Sequence, residues 1–161
     1  MKKLTAVAVL AMMILGTSVS ANEWNKIRIG VEGAYPPFSK VEKDGTLVGF
    51  DIDIAMALCE EIGAECVLVP QDWDGIIPAL LARKYDAIIA SMSITEERKK
   101  KVAFSEKYYN TPAKFARKKG SGIAISKAGL KGKTVGVQRA TTHDNFITGE
   151  FGDSVEIKRY G

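Results

Sequence analysis

Apolar and polar residues alternate along KIRIGVE (26–32), the spacing of a half-buried β-strand. GAYPPF (33–38) follows, where Pro36 and Pro37 bar a helix and predict an extended, exposed loop. In KVEKDGTLVGF (40–50), Asp44-Gly45 separates two short β-like runs, which signals a hairpin. The period then changes. In DIDIAMALCEEIG the residues Ile52, Ala55, Met56, Cys59 and Ile62 share one helical face, with Asp51 placed to cap the start and Gly63 to stop the end. CVLVP (66–70) reads as the next strand. DWDGIIPALLARK (72–84) reads as a helix with Asp74 as its cap and Pro78 in the first turn, where N–H groups lack helical partners anyway. YDAIIAS (85–91) predicts a third strand, and TEERKKKVAF holds a short helix. The order β-α-β-α-β predicts a mostly parallel sheet with helices on both faces.

After SEKYYNTPAKFARKKGSG the pattern starts afresh. LKGKTVGVQ (130–138) predicts a strand, TTHDNFITGEFG (141–152) a helix and SVEIKRY (154–160) another strand. A lone β-α-β has little to cover its apolar faces. The expectation is therefore two α/β lobes, with the second cut off partway at Gly161.

MKKLTAVAVLAMMILGTSVSA (1–21) stands apart from this pattern. Lys2 and Lys3, the apolar run from Leu4 to Leu15 and the small residues Val19-Ser20-Ala21 form the layout of a secretory signal peptide, cleaved after Ala21. The run is short for a membrane span. Without Lys2 and Lys3 the formal charge falls from +4 to +2, which does not call for a nucleic-acid partner. RKKK (98–101) and RKK (117–119) read as solvated faces. Cys59 and Cys66 in an exported chain read first as a disulfide. With one histidine and only two cysteines, no metal site is expected.

SMSITEER (91–98), at the end of the third strand, carries the candidate chemistry. Ser91 and Ser93 offer hydroxyls, Thr95 can cap a helix, and Arg98 brings a planar five-donor fork. These are parts for holding an anion. They are equally the parts of a capped surface helix with a solvated arginine.

The ordered set IRIGVEGAYPPF, LVGFDIDIAMALC, DWDGIIPALLARKYDAI, SMSITEERKKKVAFSEKYY and LKGKTVGVQRATTH resembles the periplasmic amino-acid-binding proteins of ABC importers. The resemblance covers essentially all of residues 26–161 and points to the lysine/arginine/ornithine-, histidine- and arginine-binding branch. It implies an α/β, two-lobed periplasmic-binding-protein fold with mostly parallel sheets, closing on a ligand in the cleft. Lobe 1 would span 22–109, the hinge crossing 110–113, and the start of lobe 2 residues 114–161. The resemblance also matches Cys59 and Cys66 to that branch's disulfide.

By resemblance, Arg98 grips the α-carboxylate of an amino acid, aided by N–H groups of Ser93 and Thr142. Ala90 and Ser91 close the strand end, and the Ser91 carbonyl and Ser93 hydroxyl face the α-ammonium. Tyr35 and Trp73 flank the ligand side chain, and Glu32 meets its far end, which favours arginine, lysine or ornithine. Thr141 and Thr142 present polar groups at a helix start, and Gln138 and Arg139 line the rim. Ala140 stands where relatives usually carry glycine, and His143 lies on the first helical turn outside the chemistry. Ordinary packing at a helix start is the plain alternative for Trp73, and a surface carboxylate for Glu32.

The implied protein is a periplasmic monomer without cofactor, handing its ligand to a membrane-embedded ABC permease. An aspartate that normally meets the α-ammonium lies in the part of the family pattern beyond Gly161, so a half-clamp without tight binding is a competing expectation. A dehydratase on the same scaffold and a sensory module are two others.

Overall fold

The computed structural model describes residues 24–161, so the expected leader peptide lies outside the described residues. Strand β1 (Lys26–Val31) ends in three consecutive buried residues, Ile29, Gly30 and Val31, although its sequence alternates. Burial on both faces marks it as the middle of a sheet. Next come β2 (Ala34–Tyr35), β3 (Ser39–Val41) and β4 (Leu47–Val48), which form a separate antiparallel sheet. The Asp44-Gly45 turn joins β3 to β4, with the Asp44 carboxylate accepting from Thr46 N–H at 3.0 Å.

The Pro36-Pro37 segment is not the extended loop expected. A cis bond joins the two prolines, and Phe38 N–H returns to the Tyr35 carbonyl at 2.9 Å, so the chain reverses tightly between β2 and β3. Helix α1 (Phe50–Glu61) then departs from Gly49, not from an Asp51 cap. Gly49 has φ 128°, and a Cβ there would lie 2.5 Å from the Phe38 carbonyl oxygen, so the position requires glycine. The carbonyls of Pro37 and Phe38 accept the Phe50 and Asp51 N–H groups, which leaves the Asp51 side chain free to turn inward. Ile52, Ala55 and Cys59 are buried as expected, whereas Met56 and Ile62 are exposed.

Strand β5 (Glu65–Pro70) pairs parallel with β1, and the Cys59–Cys66 disulfide ties the end of α1 to its start. A 3-10 turn (Trp73–Gly75) leads into α2 (Ile76–Leu81), so the second helix is shorter than expected and Asp74 lies outside it. Strand β6 (Ala87–Ile88) pairs parallel with the other side of β1, giving the sheet order β5-β1-β6. Tyr85, buried and donating to the Ile76 carbonyl, lies over Gly30, where a Cβ would meet its ring at 2.6 Å. The third strand is far shorter than YDAIIAS because only Ala87 and Ile88 pair with β1, opposite Ile29 and Gly30.

Helix α3 (Glu96–Lys99) is capped by Thr95, which accepts from Arg98 N–H at 3.2 Å. After a stretch without helix or strand, α4 (Lys127–Leu130) precedes β7 (Thr134–Gln138), α5 (Thr142–Phe151) and β8 (Glu156–Tyr160). The first turn of LKGKTVGVQ is thus helix and loop, and the strand begins at Thr134. β7 and β8 pair parallel, with Leu130, Ile147 and Phe151 packed beneath them. This core is separate from the two that flank the first sheet. The fold is α/β with two units, and parallel pairing dominates both.

Candidate functional site

The carboxyl ends of β1 and β6, the turn before α2 and the turn between β7 and α5 meet at one place. Open α/β sheets offer ligand sites at such strand ends. Four side chains from the first unit reach residues 138–140 of the second.

Glu32 directly follows β1 and is buried, 8% exposed. Its carboxylate accepts from the Gln138 carboxamide. Burial pushes its carboxyl above the ordinary carboxylate range; the Gln138 bond opposes that, and the charges of Asp51 and Asp72 add to it. A surface carboxylate is therefore excluded for this residue.

Trp73 opens the 3-10 turn, and its indole N–H donates to the Ala140 carbonyl at 3.1 Å. The Arg98 guanidinium lies over its ring, 5.2 Å from the centroid, a cation–π arrangement. The cation on this ring is thus the protein's own arginine. Arg98 also donates to the Ser93 carbonyl at 2.9 Å and faces the Ala140 carbonyl at 3.5 Å. Desolvation lowers its pKa, a direction that the nearby Glu97 opposes. An arginine held half out of water by a ring and two carbonyls, with donors to spare, is suited to a planar carboxylate.

Tyr35 ends β2 and is partly exposed; its ring stacks on Phe38 at 5.1 Å. Phe38 in turn stacks on Tyr109 at 5.0 Å, and Phe50 and Tyr108 complete a five-ring cluster. Thr141 caps α5, accepting from Asp144 N–H at 3.1 Å and donating to the Gln138 carbonyl at 2.7 Å. Its hydroxyl is used within the turn. Thr142 is the first helical residue, half-buried, and His143 is exposed beside it. Arg139 pairs with Asp74 at 2.6 Å across the cleft. Ala140 holds φ 59°, the left-handed region that glycine enters freely and that costs an L-residue about 1–2 kcal/mol.

Ala90 is buried at the end of β6, and Ser91 follows it in the left-handed region. Its hydroxyl donates to Asp51 at 2.7 Å, and its N–H donates to the Tyr108 hydroxyl at 3.0 Å. Asp51 and Tyr108 were not among the expected site residues. Gly49, already seated at the helix start, was the sequence signal that Asp51 need not cap. A groove of about 700 Å³ runs from these residues along the 101–111 segment, touching Ala90, Ser91 and Ser93 but not Glu32, Trp73 or Arg98.

Residues 27–152 match the family model of bacterial extracellular solute-binding proteins, family 3, and the chain belongs to that family. The L-arginine-binding protein of Pseudomonas aeruginosa is 50% identical over 161 residues, a match covering 99% of this chain and 62% of that protein. An ancestral arginine-binding protein bound to arginine superposes with a TM-score of 0.75 at 40% identity, over 84% of this chain and 61% of the other. An ancestral amino acid-binding protein, a precursor of cyclohexadienyl dehydratase, gives a TM-score of 0.73 at 35% identity over the same shares. The chain spans about three fifths of the length of these relatives.

Proposed function

We propose that this chain carries the grip of an extracytoplasmic solute-binding protein that captures a cationic amino acid and delivers it to an ABC permease. The observation behind this reading is the pairing of opposite ends: Arg98, desolvated on Trp73, against the buried carboxylate of Glu32. One end suits an α-carboxylate and the other a guanidinium or ammonium. The names of the relatives support arginine in particular. Residues Tyr35, Ala90, Ser91, Ser93, Thr141 and Thr142 complete the proposed ligand set. The periplasm, a monomeric state and cleavage of the leader after Ala21 belong to the same reading.

We read the site as non-catalytic. A dehydratase needs a placed acid and base with free proton traffic. Here Glu32 is engaged by Gln138, and Asp51 by Ser91 and Tyr108.

Isothermal titration with arginine, lysine, ornithine, histidine, glutamine and glutamate tests the reading. The three basic ligands should bind far more tightly than glutamate. Equal affinity for glutamate, or binding of none of the six, would overturn it.

A further inference from the structure

Asp51, Ser91 and Tyr108 form a closed ring of hydrogen bonds. Asp51 is fully buried, at 0% exposure, in the first turn of α1. Its Oδ2 accepts from the Ser91 hydroxyl at 2.7 Å, and its Oδ1 accepts from the Tyr108 hydroxyl at 2.9 Å. The Tyr108 oxygen in turn accepts the Ser91 N–H at 3.0 Å. Both the side chain and the main chain of Ser91 are therefore tied to one carboxylate, directly and through one phenol.

Ser91 needs such ties. At φ 51° it sits in a region that serine enters only when its surroundings hold it there. A peptide unit turned this way, three residues beyond β6, sets where the Ser91 carbonyl points. Tyr108 is itself fixed, because its ring and that of Tyr109 pack against Phe50. The ring of bonds thus draws on α1, the turn after β6 and the segment 108–109, three parts distant in sequence.

We infer that Asp51 and Tyr108 are positioning residues that lock Ser91 in its left-handed turn, so that its carbonyl is aimed at the α-ammonium of the bound amino acid. This rests on the amino-acid reading above and deepens it. Tyr108 reaches the site through Ser91, so its effect falls on the ammonium end; Asp51 also adds its charge to the surroundings of Glu32, at the side-chain end. Removing the lock weakens ligands that have an ammonium and leaves alone those that lack one.

The test compares arginine with 5-guanidinopentanoate, the same molecule without its α-ammonium, on the full chain. Asp51→Asn should lower arginine affinity about 10-fold and Tyr108→Phe about 3-fold, the scale of one or two lost hydrogen bonds. Affinity for 5-guanidinopentanoate should stay within about twofold of the unaltered chain in Tyr108→Phe, since no bond to it changes. Asp51→Asn also removes a charge near Glu32, so there arginine should lose more affinity than 5-guanidinopentanoate. Equal losses for both ligands, or no loss for arginine, would overturn the inference. Tyr108→Phe removes a single oxygen from a partly exposed side chain, so it remains informative if Asp51→Asn fails to fold. Hydrogen exchange at the Ser91 amide decides the lock independently of any ligand. Faster exchange in Tyr108→Phe supports it, and unchanged exchange rejects it. If the unaltered chain binds neither ligand, the amino-acid reading fails on its own, and the amide result still decides whether Ser91 is held.

Discussion

The indole N–H of Trp73 donates to the carbonyl of Ala140 at 3.1 Å, joining residues 67 positions apart and spanning the two α/β units. The same carbonyl lies 3.5 Å from Arg98, whose guanidinium covers the Trp73 ring. One left-handed alanine therefore presents its oxygen to two side chains of the opposite unit. Trp73→Phe keeps an aromatic face for Arg98 and removes the N–H donor together with one of the two fused rings. A neutral hydrogen bond contributes about 0.5–1.5 kcal/mol, so amino-acid affinity should fall roughly 2–12-fold. Titration calorimetry checks this, and a loss of a thousandfold would mean that the ring's shape matters more than its donor.

Arg98→Lys keeps the charge but removes the planar fork. The ammonium of lysine cannot bond the Ser93 carbonyl and a ligand carboxylate in the same geometry. Loss of one charge-assisted bond, about 1.5–3 kcal/mol, predicts a fall in affinity of roughly 10–150-fold. Substitution with little effect would remove Arg98 from the carboxylate role.

Glu32 links affinity to pH. Burial raises its folded-state pKa above the unfolded value, with Asp51 and Asp72 adding and the Gln138 bond opposing. Its contribution to folding is therefore most favourable below the unfolded pKa and is lost as pH rises through the raised one. A bound cation works in the other direction, since it favours the ionised carboxylate. Arginine affinity should fall as pH drops through this raised range, and Glu32→Gln should flatten that dependence while narrowing the preference for arginine over glutamate about 10-fold. Dissociation constants measured between about pH 4 and 8 give the slope directly.

The Cys59–Cys66 bond closes a loop of sequence separation 7. Chain-entropy arithmetic for so short a loop gives about 2–3 kcal/mol. Replacing both cysteines by alanine should lower unfolding free energy by that amount in a urea titration. Ligand affinity under folding conditions should be unchanged, because both residues lie at the far end of α1 from the cleft.

The succession of strands and the parallel pairing were legible because β1, β5 and β6 each carry apolar runs with helical segments between them. Helix starts were read less well. Asp51 and Asp74 both have the chemistry of a cap, yet tertiary partners claim them: Ser91 and Tyr108 for Asp51, Arg139 for Asp74. Local propensity does not see a donor 40 or 65 positions away. Cis geometry at Pro36-Pro37 was equally hidden, since proline permits either isomer. Within the site, Trp73 and Arg98 meet ring to guanidinium at Ala140, and Glu32 reaches the neighbouring Gln138. Tyr35 stacks within a five-ring cluster that no spacing rule would assemble from Phe38, Phe50, Tyr108 and Tyr109.

The bonds across the cleft all end on residues 138–140, whereas the first sheet lies wholly within residues 26–88. That separation has a meaning in time. A chain made from its N-terminus at about 5–20 residues per second has an interval of roughly 3–10 s between Ile88 and Gln138. During it, Glu32 and Trp73 stand on a sheet that can already form, with no opposing wall to meet. Half of the grip stands on a sheet that uses no residue beyond Ile88, so its strand ends can take shape before the second unit or a ligand meets them.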